Sequence, residues 1–425
     1  MKKIITLFLF ISGLLTAQSQ DVKYAHYVID SLCSPFLYGR AYTNNGANNA
    51  AIFISNEFDA MKMRKFSDYY FQNYPISINS FSKNIDLEIS KKNLVAGTDF
   101  MVALSSPSVN ATYKIFKLDS STVKTKADLE KLIKKNLKSK VLLVDKQNIK
   151  DKEVLDILNS LRNKNVFNSA GYVFINDGKL SWGTSDGKNV NKSFRINVLR
   201  KALPEKFKKV KINIEADYLI DYPSKNVVAY VKGKLHPDSF FVFTAHYDHL
   251  GQMGKDVFFP GANDNASGTA MVLDLAKYYS DINNQPDYSI VFALVCGEES
   301  GLNGSQYLAE NPLFPLDKVK FLINIDMVGT GSEGITIVNG TKFETQFKKF
   351  EAINKEKGYL KTVSQRGESC NSDHCPFYQK GVPAVFIYAM GSEFTEYHNI
   401  YDVPQKLPLT KYNEIFKLLT DFIKD

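Results

Sequence analysis

The sequence predicts an α/β protein in which a mostly parallel mixed sheet is flanked by helices on both faces, with a smaller mixed α/β or β-rich domain inserted. Three observations carry this prediction. From about residue 225 onward, near-continuous apolar runs recur ("NVVAYVKG", "FFVFTA", "YSIVFALV", "VKFLINIDMV" and "VPAVFIY"), as strands buried on both faces require. Helical stretches separate several of them ("SGTAMVLDLAKYYS" at 267–280, "GSQYLAE" at 304–310 and "ETQFKKFEAINKEKG" at 344–358). Such alternation of strand and helix implies a mostly parallel sheet covered on both sides. Ahead of residue 225 the apolar segments are instead short and alternating, as in a separate small domain.

Taken in chain order, the N-terminus "MKKIITLFLFISGLLTAQSQ" pairs two lysines with an apolar run from Ile4 to Leu15 and then small residues. This predicts a signal peptide over 1–17 and an exported protein, periplasmic or secreted. The run is shorter than the roughly 20 residues a spanning helix needs, so no stable membrane anchor is expected after cleavage. A segment over 18–89 follows, with a helix around 47–60 whose Ala51, Ile52, Ile54, Phe58 and Met61 can share one face. Strands or helix ends of a small mixed domain are expected at 138–145, 170–177 and 193–203. Residues 206–425 complete the larger domain.

Composition narrows the function classes. A chain of 425 residues with 44% hydrophobic and 23% charged residues is ordinary for a globular protein. The formal charge of +8 is spread over lysine-rich runs such as "KLIKKNLKSK" (131–140) and "KFKKVK" (206–211). These read as solvated helix faces, and without an arginine stripe or interleaved aromatics nucleic acid is not an expected partner. Of the four cysteines, Cys370 and Cys375 are the only pair close in sequence, and their spacing does not decide whether they are joined.

Polar groups gather at the ends of the apolar runs. "FFVFTA" leads into His246, Tyr247, Asp248 and His249, "YSIVFALVCG" into Glu298 and Glu299, and "FLINI" into Asp326. The carboxyl ends of parallel strands line the crevice where ligands bind, so three strands deliver acids or imidazoles to one rim. Asp264, in the Gly/Asn/Ser-rich "PGANDNASG", and His398, in "EYHNIYD", complete the set. Singly, each has a structural explanation: a hydrogen-bonded histidine, a solvated Glu pair, an aspartate capping the helix near Ser267. Asp326, between Ile325 and Met327 in a buried run, needs a partner or a cation.

In order and together, "AHYDHLG", "PGANDNASG", "CGEESGLNGS", "NIDMVG", "SDHCPF" and "EYHNIYD" resemble the M28 family of secreted zinc aminopeptidases, closely over about 225–425. The resemblance implies the zinc-exopeptidase fold, a protease-associated-like insertion at 90–205 and two Zn²⁺ ions per chain. His246 and Asp326 would bind one ion, Glu299 and His398 the other, and Asp264 both, with the peptide bond after Asp264 typically cis. Glu298 would serve as general base and Asp248 would orient His246. Asp373 is either near the pocket or a helix cap. The family's oxyanion tyrosine is missing from "GESCN", leaving Tyr388 and Tyr397 as substitutes or as packing residues. Asp402 either anchors the His398 loop or caps a turn, and His249 and His236 read as surface or structural. The implied activity is removal of N-terminal residues from peptides. A glutaminyl cyclase-like single-zinc acyltransferase and an inactive peptidase-like binding protein are the alternatives, and the oligomeric state is unknown.

Overall fold

The computed structural model describes residues 22–182 and 189–424. The expected signal peptide at 1–17 lies outside the described residues. Among those described, no helix is long and apolar enough to cross a membrane.

Two eight-stranded sheets organise the chain. In the larger, the edge-to-edge order is Phe71–Ser80, Asp217–Val231, Tyr288–Val295, His236–His246, Val319–Ile325, Ala384–Met390, Gly334–Val338 and Val363–Gln365. Its four central strands, from Tyr288–Val295 to Ala384–Met390, are mutually parallel. Asp217–Val231 and Gly334–Val338 run antiparallel to them. The central position explains the apolar runs: Ile290 to Val295 are all fully buried, one residue after another. Helix Gly268–Ser280 packs against this sheet with ten buried residues, including Met271, Leu273 and Leu275.

Helix Gly46–Ala60 buries Ala47, Ala50, Ala51, Ile54 and Phe58, a stripe at intervals of three and four. Ile52, expected on that face, is 49% exposed. One residue rotates a helix by about 100°, which carries position 52 off a stripe fixed by Ala51 and Ile54.

The second sheet has the order Lys92–Leu94, Ile85–Ile89, Lys209–Ile214, Val109–Leu118, Lys140–Val144, Gly171–Asn176, Phe194–Leu199 and Phe100–Val102. It therefore extends beyond 90–205 at both ends, because Ile85–Ile89 pairs with Lys209–Ile214. "KFKKVK" is not a helix face. Its last residues enter the Lys209–Ile214 strand, whose Val210, Ile212 and Ile214 turn into the core while Lys209 and Lys211 face water. Met253 and Phe259, on the short antiparallel pair Gly251–Met253 and Val257–Phe259 that follows the His246 strand, lie in the same apolar cluster as Trp182, Phe194 and Ile212 of the second unit.

Candidate metal centre

His246 is the last residue of its strand, Asp326 follows Ile325, and Glu298 and Glu299 follow the Tyr288–Val295 strand after Cys296 and Gly297. These three strands are parallel neighbours, so the four side chains leave one rim. Asp264 joins them from the turn Ala262–Ser267, ahead of helix Gly268–Ser280, and His398 from the loop after Ala384–Met390. The His246 Nε2 atom lies 3.4 Å from Asp264 Oδ1 and 3.5 Å from Asp326 Oδ1. On the other side, His398 Nε2 lies 2.9 Å from Asp264 Oδ2 and 3.3 Å from Glu299 Oε2. Asp264 thus presents one carboxylate oxygen to each imidazole.

The electrostatics are those of a cluster short of positive charge. Burial alone would lower the pKa of His246, but Asp326, Glu298 and Asp264 outweigh it and hold the ring well above its ordinary value. His398 follows the same pattern, burial opposed and overcome by Glu299 and Asp264, reaching about 11. Burial would raise Asp264 and Glu299. The imidazoles instead hold Asp264 well below the ordinary carboxylate value, and His398 and His249 take Glu299 to about 2. Glu298 is pushed well above the usual range, chiefly by burial.

The backbone around Asp264 is held from several sides. Asp402 receives the main-chain N–H groups of Asn263 and Asp264 on its two carboxylate oxygens, at 2.8 and 3.1 Å, so it anchors the loop. The Asp264–Asn265 peptide bond is cis. Small residues here have a steric reason. Gly261 has φ +62°, and a Cβ there would strike the Asp264 carbonyl and the His249 ring. At Gly268 a Cβ would meet Asn265 Oδ1 and the Ile325 carbonyl. Arg40, fully buried, donates to the carbonyls of Leu32, Tyr247, Pro260 and Gly261, tying the N-terminal segment to this loop and to the residue after His246.

The donor set suits a divalent metal. His246 Nε2 and Asp326 Oδ1 are buried and have no hydrogen-bond partner although they face each other. Unpaired buried polar atoms are costly, and a shared cation satisfies both. Ligand atoms of His246, Asp264 and Asp326 lie within 4.8 Å of one another, as do those of His249, Asp264 and Glu299. Imidazole with carboxylate is a zinc-type donor set.

The sequence profile of peptidase family M28 matches residues 226–423, the span that supplies every one of these ligand candidates. Residues 226–423 belong to peptidase family M28. A "Probable zinc metalloprotease" of Pyricularia oryzae is 40% identical over 121 residues, 27% of this chain and 24% of that protein. "Aminopeptidase YwaD" of Bacillus subtilis is 30% identical over 189 residues, 43% of this chain and 39% of that protein. The chain spans about a quarter of the length of the fungal relatives it matches. Among solved structures, a "Peptidase M28 precursor" from Shewanella amazonensis superposes with TM-score 0.70 at 16% identity, covering 95% of this chain and 93% of that one. BSAP, "a zinc aminopeptidase from Bacillus subtilis", gives 0.69 at 18%, covering 95% and 94%. At these identities the two structures establish the fold.

Within the M28 span, some residues stand differently from expectation. The carboxylate of Asp248 does not take the His246 ring N–H. His246 Nδ1 lies 3.1 Å from the Asp248 main-chain carbonyl, whereas Asp248 Oδ1 is 3.8 Å away and receives the Glu298 backbone N–H at 3.3 Å. The chain turns at the strand end and brings its own carbonyl to the ring first. Asp373 makes no cap bond to helix His374–Gln379; its carboxylate accepts from the Ser305 hydroxyl. Tyr397 stacks on the His398 ring at 3.8 Å and is 47% exposed, while Tyr388 is half-buried in the Ala384–Met390 strand, 5.4 Å from the Phe386 ring. His236 stacks on Tyr288, away from the rim, as a structural residue does. Cys370 and Cys375 are joined.

His249, expected as a surface or structural residue, and Arg40, which no sequence motif singles out, both touch the site. His249 is buried, with Nδ1 2.7 Å from Glu299 Oε1. Its signal was its position three residues after His246, just beyond the strand end. Ser372 also acts here, donating to Asp326 Oδ2 at 3.0 Å and receiving from Asn324 at 2.8 Å.

Proposed function

We propose that the chain is an exported dinuclear zinc exopeptidase that removes N-terminal residues from peptides. The observation that carries the reading is the convergence of His246, Asp264, Asp326, Glu299 and His398 on one rim, with Glu298 close enough to act on His246 electrostatically and, among the described residues, in no ion pair with either imidazole. In this reading His246, Asp264 and Asp326 would hold one zinc, and Asp264, Glu299 and His398 would hold the second. When bound, the pair supplies Lewis acidity that activates water and polarises the scissile carbonyl.

The chain's own residues do the rest. Glu298 takes the proton of the attacking water and delivers it to the departing amine. Its burial favours the protonated form it must hold between those transfers. The Asp248 carbonyl accepts the His246 Nδ1–H, which fixes the tautomer and leaves the Nε2 lone pair toward Asp264 and Asp326. Asp402 and Ser372 hold Asp264 and Asp326 in orientation. Residues 1–17 act as a signal peptide, and the unit around 90–205 is a protease-associated-like insertion.

Metal analysis of the purified chain, with a leucine-arylamide assay before and after chelation, tests this. Two zinc ions per chain and chelator-sensitive, zinc-restored release of the arylamine are the expected results. One zinc with cyclisation of N-terminal glutamine instead of hydrolysis would make the chain a glutaminyl cyclase-like acyltransferase. Metal without turnover on any peptide would make it a binding protein.

A further inference from the structure

A second site lies on the other sheet. Six lysines and two glutamates line a hollow of about 690 Å³ on the outer face of that sheet, with Phe207 among them. An adjoining hollow of about 410 Å³ adds Lys114 and Lys140. Much of the chain's formal excess of +8 is thus gathered in one place. Among the described residues, no ion pair engages any of these lysines, although surface lysines elsewhere, such as Lys83 and Lys126, have carboxylate partners.

The strand register makes the concentration sharper. Lys140, Lys114 and Lys209 stand directly opposite one another on three adjacent strands. Directly paired residues share a face with Cα atoms about 5 Å apart, and like charges so placed repel. Lys211 lies two residues along the same strand, opposite Glu88 and Thr112. Lysine stems flank the half-buried Phe207, whose ring carries Lys117 Nζ at 4.7 Å. A self-repelling rung with no internal counter-charge is stabilised by an anion from outside.

We propose that this hollow docks an acidic polypeptide segment in extended form. Alternate side chains of an extended peptide project to one side about 6.8 Å apart, the same two-residue repeat that separates Lys209 from Lys211. Carboxylates at that spacing meet successive lysines. The hollow is concave, which does not match a flat bilayer. It has no arginine for bidentate phosphate contacts, and Phe207 with the half-buried Phe116 of the adjoining hollow falls short of the stacking series a nucleic-acid strand needs. Glu88 and Glu205 interrupt the positive lining, which separated carboxylates tolerate better than a continuous phosphodiester chain.

The test is fluorescence anisotropy of the full chain with a labelled, N-acetylated peptide of alternating Glu and Val, about a dozen residues long and blocked against removal of its terminus. Saturable binding that weakens about ten-fold between about 50 and about 200 mM salt is the expected result. Lys114→Gln/Lys209→Gln/Lys211→Gln loses at least about ten-fold in affinity and does not melt earlier than the parent, since the change relieves repulsion. Lys131→Gln/Lys134→Gln/Lys135→Gln, an equal change of charge on exposed positions of the same unit, binds as the parent. Absence of peptide binding at low salt, or an equal loss in both triple variants, overturns the proposal. So does tighter binding of anionic vesicles or a single-stranded oligonucleotide through the same lysines, which would make the hollow a membrane or nucleic-acid contact.

Discussion

Replacing Arg40 with methionine tests how far the metal centre depends on the N-terminal segment. The guanidinium is fully buried and donates to four main-chain carbonyls, those of Leu32, Tyr247, Pro260 and Gly261. Methionine fills most of the volume but donates nothing, so the carbonyls of Leu32, Tyr247 and Pro260 lose their partner, while that of Gly261 keeps the Ala266 N–H at 3.2 Å. At about 1 kcal/mol for each orphaned carbonyl the loss is about 3 kcal/mol, and relief of burying a cation without a paired carboxylate offsets about 1, leaving about 2 kcal/mol. Urea unfolding of the metal-stripped protein, followed by the emission of Trp182, the only tryptophan in the chain, gives the number. Because Pro260 and Gly261 lead directly into the Asp264 turn, zinc affinity measured by chelator competition falls as well. A variant within about 0.5 kcal/mol of the parent and with unchanged zinc affinity would refute the reasoning.

Three further outcomes follow from the same geometry. Glu298→Gln retains zinc by metal analysis but loses about 10²- to 10⁴-fold in kcat with little change in KM; near-parental turnover removes Glu298 from proton transfer. His249→Ala takes the ring from Glu299 Oε1 and lowers zinc affinity about 10- to 100-fold, read by chelator competition; unchanged affinity would leave the 2.7 Å contact without function. Arg200 grips Asp145 with two bonds of 2.7 and 2.8 Å and holds that carboxyl below its ordinary 3.8. The stabilisation, about 1 kcal/mol for a half-exposed pair, is therefore complete above about pH 4 and disappears as pH falls through the depressed value. Denaturation of Arg200→Ala should differ from the parent at pH 7 and converge with it once pH falls below the depressed value; a difference that persists unchanged down to acid unfolding would rule out this linkage.

The larger sheet was legible because its central strands are buried on both faces, so that "YSIVFALV" and "FLINI" are apolar at every position and end where the polar rim begins. The rim was legible for the same reason, since His246, Glu299 and Asp326 each follow directly or closely on such a run. What local pattern could not carry was long-range pairing. Ile85–Ile89 meets Lys209–Ile214 across the whole insertion, and neither segment signals its partner. "KFKKVK" looked like a helix face because lysines dominate it, and the strand alternation starts only at Lys209. His249 sits outside the strand and beyond the first His/Asp pair, so only the fold of the turn brings its ring to Glu299. Arg40 reaches main-chain carbonyls more than 200 positions away, an acceptor type that leaves no mark on side-chain sequence.

The main-chain N–H of Trp182 rests on the carbonyl of His398 at 2.8 Å, and its indole packs on Phe259 with ring centres 4.6 Å apart. A histidine proposed to grip zinc is therefore steadied from behind by the segment that follows the Gly171–Asn176 strand of the other sheet. Excising residues 85–214 would strip cover from Met253 and Phe259 and let the His398 loop drift. The two layers work as hub and brace, and anything that tugs on the lysine-lined sheet has a short mechanical route to an imidazole of the proposed metal centre.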